Sequence, residues 1–368
     1  MQRNDPGARH VESLEIEIRN SQFAIRNSFM NEFDFIDRLR ARVESRESPS
    51  GLLRGIGDDA AVLKQFSGRD MLLTSDLLVE DIDFRREATS PRLLGHKALA
   101  VSLSDIAAMG ARPRATLVSL GVPQDVWDSD FTAEFYEGFL ALADRYDVQL
   151  IGGDLSRTTG KIVIDSIVMG ECASGQAILR AGARAGDHLF VTGSLGGSAA
   201  ALRLLERGLH AKRNHSEEDE SDSIEQLLLR HQRPEPRVGW GLVLGEEGLA
   251  SAMIDISDGL SSDIHHLCSE SAVGARIESA RLPINPHVTA LCGRRALDPL
   301  MLALHGGEDF ELLFSVPPEN LSRLPAKVDG VPVTCIGKIK ASGGIVISEG
   351  SRVWELKPGG WQHFGNGF

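Results

Sequence analysis

The 368-residue chain is 42% hydrophobic and 25% charged, an ordinary globular composition with length enough for two cores. A net charge of −13 and 5% aromatic residues exclude a basic or ring-stacking nucleic-acid surface. Four scattered cysteines without a C-x-x-C pair give neither a zinc site nor a disulfide framework and suit a reducing cytoplasm, and no apolar run reaches membrane-spanning length.

Residues 1–29 are polar, lack the apolar core of a signal peptide and are expected to form a disordered or weakly helical extension. The spacing of Phe33, Ile36 and Leu39 predicts a helix over 31–43. Strands follow at 60–66 and 70–79. Ser90-Pro91 is a helix start, and "PRLLGHKALAVSLSDIAAMG" reads as a helix stopping near Gly110. A strand at 114–122, a helix at 129–147 and a strand at 161–172 complete the first half. A Gly-rich basic joint, 174–187, leads to the strand "HLFVTGSL" and the helix "GGSAAALRLLERG". The charged run 212–222 reads as an exposed loop. "AMIDIS" is a strand feeding the helix "GLSSDIHHLCSES"; "DPLMLALHGG" is a helix, "DFELLFSV" a strand, and short strands lie at 332–339 and 344–348. Strands and helices without strict β-α-β alternation predict an α+β fold in two domains, 30–173 and 174–368.

Acidic residues recur against apolar runs: "RGIGDDAAVL", "LLTSDLLVEDIDF", "LIGGDLSRT", "SAMIDISDGLSSD" and "LHGGEDFELLF". An unpaired charge is costly to bury, so each needs a partner. Strand alternation puts Thr74 and Asp76 on one face and Ser75 on the other, and such hard oxygen donors suit Mg²⁺. Asp105 lies in a helix that is apolar nearly all round and therefore buried. It binds a metal ion or, alternatively, acts as a structural cap or pairs with Arg112 or Arg114. "IGGDLSRT" and "DISDGLSSD" read as strand, turn, carboxylate. Asp255 and Asp258 bracket Ser257, and the helix opened by Gly259 favours a phosphate at its N-terminus. Asp263, His265 and His266 read as surface or packing residues. "VTGSLGGSAAAL" matches neither phosphate-loop nor dinucleotide fingerprint and reads as a tight turn. Many carboxylates, no phosphate-loop lysine and no Ser/His or Cys/His pair describe a site that holds a nucleoside triphosphate through several Mg²⁺ ions, which would neutralise the acids.

The motifs "GIGDDAAVL", "TSDLLVEDIDF", "GHKALAVSLSDIAAMGARP", "IGGDLSR", "DISDGLSSDI" and "GGEDFELLF" resemble those of the thiamine-monophosphate kinase family. That family belongs to the superfamily of aminoimidazole ribonucleotide synthetase and selenophosphate synthetase. The resemblance runs from about residue 31 to "GGWQHF" and leaves 1–29 and 212–222 outside it. It implies a cytoplasmic homodimer whose N-terminal domain strands form a shared barrel. It also implies transfer of the ATP γ-phosphoryl group to thiamine monophosphate, with Mg²⁺ and K⁺ as candidate ions. Carried onto this chain, Asp59, Thr74, Ser75, Asp76, Asp105, Asp154, Asp255 and Asp258 resemble Mg²⁺ ligands. Gly153, Asp154, Arg180 and Ser257 resemble ATP contacts, and Asp83, Glu308 and Trp361 would meet the thiamine phosphate.

One position departs from the family pattern D-x-L-V-x-x-x-H-F: "DLLVEDIDF" puts Asp83 at the histidine. There it can accept a hydrogen bond from an aminopyrimidine but is disfavoured against a phosphate. The acceptor phosphate is already an anion, so direct transfer without a covalent nucleophile or strong base is expected, with Asp105, Asp154 and Asp255 acting through metal. A selenophosphate synthetase would want an early reactive cysteine, and none precedes Cys172; a hydrogenase-maturation dehydratase would want a C-terminal cysteine, and this chain ends "FGNGF". A non-catalytic Mg-nucleotide-binding regulator is the alternative of another class.

Overall fold

The computed structural model describes residues 52–65, 68–208, 218–295 and 297–363, with Asp37, Arg40 and Ala41, which are helical. The expected extension 1–29 and most of the helix 31–43 lie outside the described residues.

The first half is a six-stranded sheet of β1 (Leu52–Arg54), β2 (Ala61–Lys64), β3 (Arg69–Val79), β4 (Arg112–Val122), β5 (Gln149–Arg157) and β6 (Val163–Ala173), ordered β1-β2-β3-β6-β4-β5. Burial alternates residue by residue along β3 and β6, the pattern of strands with one face inside. The inner face carries α1 (Pro91–Ala108). The short helix α2 (Gln124–Trp127) and the longer α3 (Phe131–Arg145) follow β4.

Ser90 starts α1 by accepting from the Leu93 N–H, and Pro91 fills the first turn. From Leu94 to Ala108 every residue of α1 is buried except Asp105, which is half-buried. The helix is apolar on all sides because everything surrounds it: β3, β4 and β6, α3, and from the second half α6 (Val238–Glu246) and β8 (Ala252–Asp255). One hydrophobic core accordingly runs from Ala60 through α1 to Val316 and joins the two halves.

The second half is an eight-stranded sheet. Besides β8 it contains β7 (His188–Thr192), β9 (Gly274–Glu278), β10 (Leu312–Val316), β11 (Lys327–Val328), β12 (Val331–Lys340), β13 (Ile345–Glu349) and β14 (Arg352–Glu355). The order is β14-β13-β9-β12-β7-β10-β8, with β11 beside β12. Helix α4 (Gly197–Glu206) packs with α5 (Glu218–Gln232) and α8 (Pro286–Arg295) in a separate small core. α7 (Leu260–Glu270) and α9 (Pro299–His305) lie against each other, and α7 also packs on β8.

Two sequence expectations change. The run 212–222 is not a loop throughout: Glu218–Asp222 opens α5, whose Ile224, Leu227 and Leu228 bury one face and draw the charged turn into helix. "LIGGDLSRT" does not turn at its glycines, because β5 continues to Arg157 alongside β4, placing Asp154 inside a strand. The expected barrel is not closed within one chain; the sheet is open, with β1 and β5 at its edges. Among the described residues no helix is long and apolar enough to cross a membrane.

α1 and α3 approach through glycines. A Cβ on Gly138 would sit 1.8 Å from the Arg92 carbonyl oxygen, and one on Gly95 would sit 1.9 Å from that of Phe135. Backbone cannot yield as a side chain can. Gly138→Ala should therefore cost at least about 2 kcal/mol in urea unfolding, and an unchanged midpoint would contradict this packing.

Candidate active site

Asp59, Asp105 and Asp255 come from the turn before β2, from α1 and from the end of β8. They bring carboxylate oxygens within 4.8 Å of one another at the junction of the halves. Thr74 donates its hydroxyl to Asp105 Oδ2, and Ser104 Oγ donates to Asp255 Oδ2 at 2.7 Å. Asp76 sits beside them with a buried Oδ2 that no hydrogen bond reaches. Burial and then the charges of Asp76, Asp255 and Asp59 drive Asp105 well above the ordinary carboxylate range. Burial and Asp59 push Asp255 up to about 8. Asp76, raised chiefly by burial, reaches about 6.

Arg180 answers part of this charge, bonding Asp59 through Nη2 at 2.8 Å and Nε at 3.2 Å. Arg112 pairs with Glu246 and Arg114 with Glu171, so neither serves Asp105. Three converging carboxylates, a hydroxyl and an orphaned carboxylate oxygen form an all-oxygen donor set that fits a hard divalent cation.

Ser75 and Asp154 are not brought to this centre. Ser75 points to the other face of β3, as alternation requires, and donates to Asp165 Oδ1 at 2.8 Å. Strand register pairs Asp165 with Ser119 and Ser119 with Asp154, which puts Asp154 on that outer face too. At Gly153 a Cβ would lie 1.9 Å from the Val118 carbonyl oxygen, so strand contact alone requires glycine there.

Beside the acidic centre is a cavity of about 420 Å³, and Asp83, Glu308 and Trp361 all line it. Asp76 belongs to both the cavity wall and the acidic centre, and Ser257 and Asp258 also line the wall. The Trp361 backbone N–H donates to the Asp258 carbonyl at 3.0 Å, which anchors the C-terminal segment beside the cavity. Asp83 Oδ2 accepts from the Val79 N–H at 2.7 Å, closing its own turn, and burial raises its pKa. Glu308 accepts from Lys97 Nζ at 2.6 Å and lies 3.0 Å from His231 Nδ1. Burial alone would raise Glu308, but Lys97 and His231 outweigh it and bring the carboxyl down to about 2.

The expectation that cations neutralise all these acids is corrected within "GGEDFELLF". Asp309 accepts from the Gly196 and Ser198 N–H groups at 2.6 and 3.3 Å, at the start of α4. Glu311 is held by Arg230 at 2.6 Å, by both forks of Arg237 at 2.5 and 2.6 Å, and by Thr192 at 2.7 Å. Asp263 is buried and takes the Gly259 N–H at 3.0 Å. Sequence reasoning missed Lys97, Ser104, Arg230, His231 and Arg237. The signal for Lys97 was available: it is a charge in the same apolar helix that made Asp105 conspicuous.

Residues 57–172 match the AIR synthase related protein N-terminal domain and 184–349 its C-terminal domain, so the chain is an AIR synthase related protein. It is 37% identical to the thiamine-monophosphate kinase of Bacillus subtilis (strain 168), across 91% of this chain and 100% of that one. Identity to the Escherichia coli (strain K12) thiamine-monophosphate kinase is 38%, across 90% and 98%. The solved structure of AaThiL complexed with AMPPCP and TMP superposes with a TM-score of 0.79 at 32% identity, covering 92% of this chain and 100% of that one. The chain belongs to the thiamine-monophosphate kinase family, and it is a kinase.

Repulsion among the junction carboxylates should make the cation-free protein less stable than its packing allows. Asp255→Asn keeps the acceptor for Ser104 and removes one charge. Thermal unfolding in EDTA should show a gain of about 1 kcal/mol or more, and added Mg²⁺ should then stabilise the variant far less than the wild type. A less stable variant in EDTA would contradict this.

Proposed function

We propose that the chain transfers the γ-phosphoryl group of ATP to thiamine monophosphate, giving thiamine diphosphate and ADP by direct in-line displacement assisted by several Mg²⁺ ions. The observation that carries this reading is the shared wall: Asp76 joins a divalent-cation donor set to a cavity holding all three expected acceptor contacts. AaThiL, of the same fold, was solved with AMPPCP and TMP.

Asp59, Asp76, Asp105 and Asp255, with Thr74, would hold Mg²⁺, which when bound screens phosphate charge and polarises the transferring group. The chain's own residues do the rest. Glu308 presents a fixed carboxylate to the exocyclic amine of the acceptor's pyrimidine, and Trp361 offers an aromatic face to the cationic thiazolium. Asp83 keeps Oδ1 for the aminopyrimidine while Oδ2 closes its turn. Aligning an acceptor that is already an anion supplies the rate without a general base. Arg180 and Ser257 are assigned to ATP; Arg180 would exchange Asp59 for a phosphate. Ser75, Gly153, Asp154 and Asp258 keep their proposed metal and nucleotide roles on the resemblance alone, as does a supporting K⁺. The two-domain division at 173–174 and a cytoplasmic location belong to the same reading. A homodimer through the first sheet is supported by its open edges and by the exposed Leu77, Ile151 and Leu155.

Purified protein incubated with ATP, MgCl₂ and thiamine monophosphate should yield thiamine diphosphate, resolved by chromatography. Thiamine itself should yield none, and Asp105→Asn should abolish the reaction. MgATP binding without turnover would replace this reading with a regulatory one. Radiolabel retained on the denatured protein after exposure to γ-labelled ATP would contradict direct transfer.

A further inference from the structure

The loop 306–311 contains two buried ion-pair systems that differ in one respect. Glu311 is enclosed completely: its side chain is 0% exposed between Arg230 and Arg237, which are 14% and 11% exposed. Glu308 also meets two basic side chains, yet its side chain remains 30% exposed while that of its partner Lys97 is only 2% exposed. Glu311 therefore has no face left for a ligand. Glu308 has one, and it opens into the cavity.

The surroundings fix where that face points. The Glu308 N–H donates to the Ser257 carbonyl at 2.7 Å, and Glu308 holds φ at 61°, in the left-handed region. Strain of this kind persists only where neighbours over-determine the backbone. The side chain is then fixed by Lys97 on Oε1 and on Oε2 by His231, whose Nδ1 it shares with Ser198 Oγ at 2.9 Å. Each carboxylate oxygen accepts about two hydrogen bonds, so each keeps one acceptor position for a ligand. Lys97 also donates to the Asp83 carbonyl at 3.2 Å, tying the opposite cavity wall to Glu308. The buried ammonium cannot reach a ligand itself; it acts through the carboxylate it holds.

We propose that Lys97 and His231 are positioning residues for acceptor recognition: they orient Glu308 so that its free acceptor positions face the amino group on the pyrimidine ring of the phosphoryl acceptor. This rests on the thiamine-monophosphate reading above. Without Lys97 the carboxylate loses a charge-assisted hydrogen bond and its orientation, and acceptor binding weakens. ATP, held at the acidic centre, does not depend on it.

The test is a double-mutant cycle on the full-length enzyme with Lys97→Met and Glu308→Gln, reading KM separately for thiamine monophosphate and MgATP. Lys97→Met should raise KM for thiamine monophosphate about tenfold or more, while KM for MgATP stays within about twofold. The double variant should be no worse than Glu308→Gln alone, as expected for residues acting as one unit. Additive effects, or an equal rise in both constants, would overturn the proposal. If Lys97→Met does not fold by thermal unfolding, His231→Gln gives the same reading: a rise confined to thiamine monophosphate supports it, and no rise overturns it. A Glu308→Gln enzyme with unchanged KM for thiamine monophosphate, or a wild type that never phosphorylates it, would remove the underlying reading instead.

Discussion

Desolvation of like charges at one point governs this molecule. Asp59, Asp76, Asp105 and Asp255 converge where the two halves meet, and Arg180 is the basic side chain seen bonding to the group. The protein could have answered these charges itself, as it does a short distance away. Asp309 receives helix N–H groups, and Glu311 receives two arginines. At the junction Arg180 answers Asp59 alone, and Asp105 and Asp255 receive hydroxyls, which orient carboxylates without cancelling their charge. A fold that keeps such a cluster beside abundant counter-examples is built to leave the charge for something else to neutralise.

α1 makes this arrangement possible. Its capped, proline-led start and its glycine contact with α3 bury it on all sides, and the same burial places Asp105 at the acidic centre and Lys97 at the cavity. The two charges divide the chemistry. One end of the helix faces oxygen donors that suit phosphate-bound cations. The other holds Glu308, brought down to about 2 by its basic neighbours against the pull of burial, so that it stays ionised. Asp76 is the link between the two regions, and through it a bound acceptor would meet the transferring group.

Much of this was legible in the sequence because it depends on local pattern. Strand alternation correctly separated Thr74 and Asp76 from Ser75, and the apolar run around Asp105 correctly placed it inside. The wider strand and helix plan also held, since its apolar periods are strong. Long-range partnership was not legible. Nothing near "GGEDFELLF" in the sequence says that Asp309 caps a helix beginning at Gly197, or that Arg230 and Arg237 close on Glu311. β5 was misread at its glycines because pairing with β4 overrides their turn preference. The run at 218–222 looked like a loop because its charged residues hide the apolar stripe that begins at Ile224.

The most direct test is a crystal structure of the protein with Mn²⁺, a non-hydrolysable ATP analogue and thiamine monophosphate, using anomalous scattering to locate the metal. Mn²⁺ is expected on Asp59, Asp76, Asp105 and Asp255, with the rings of the monophosphate against Glu308 and Trp361 and its phosphate directed toward Asp76. Metal bound elsewhere with this cluster still closed on itself, or thiamine monophosphate outside the cavity, would contradict it.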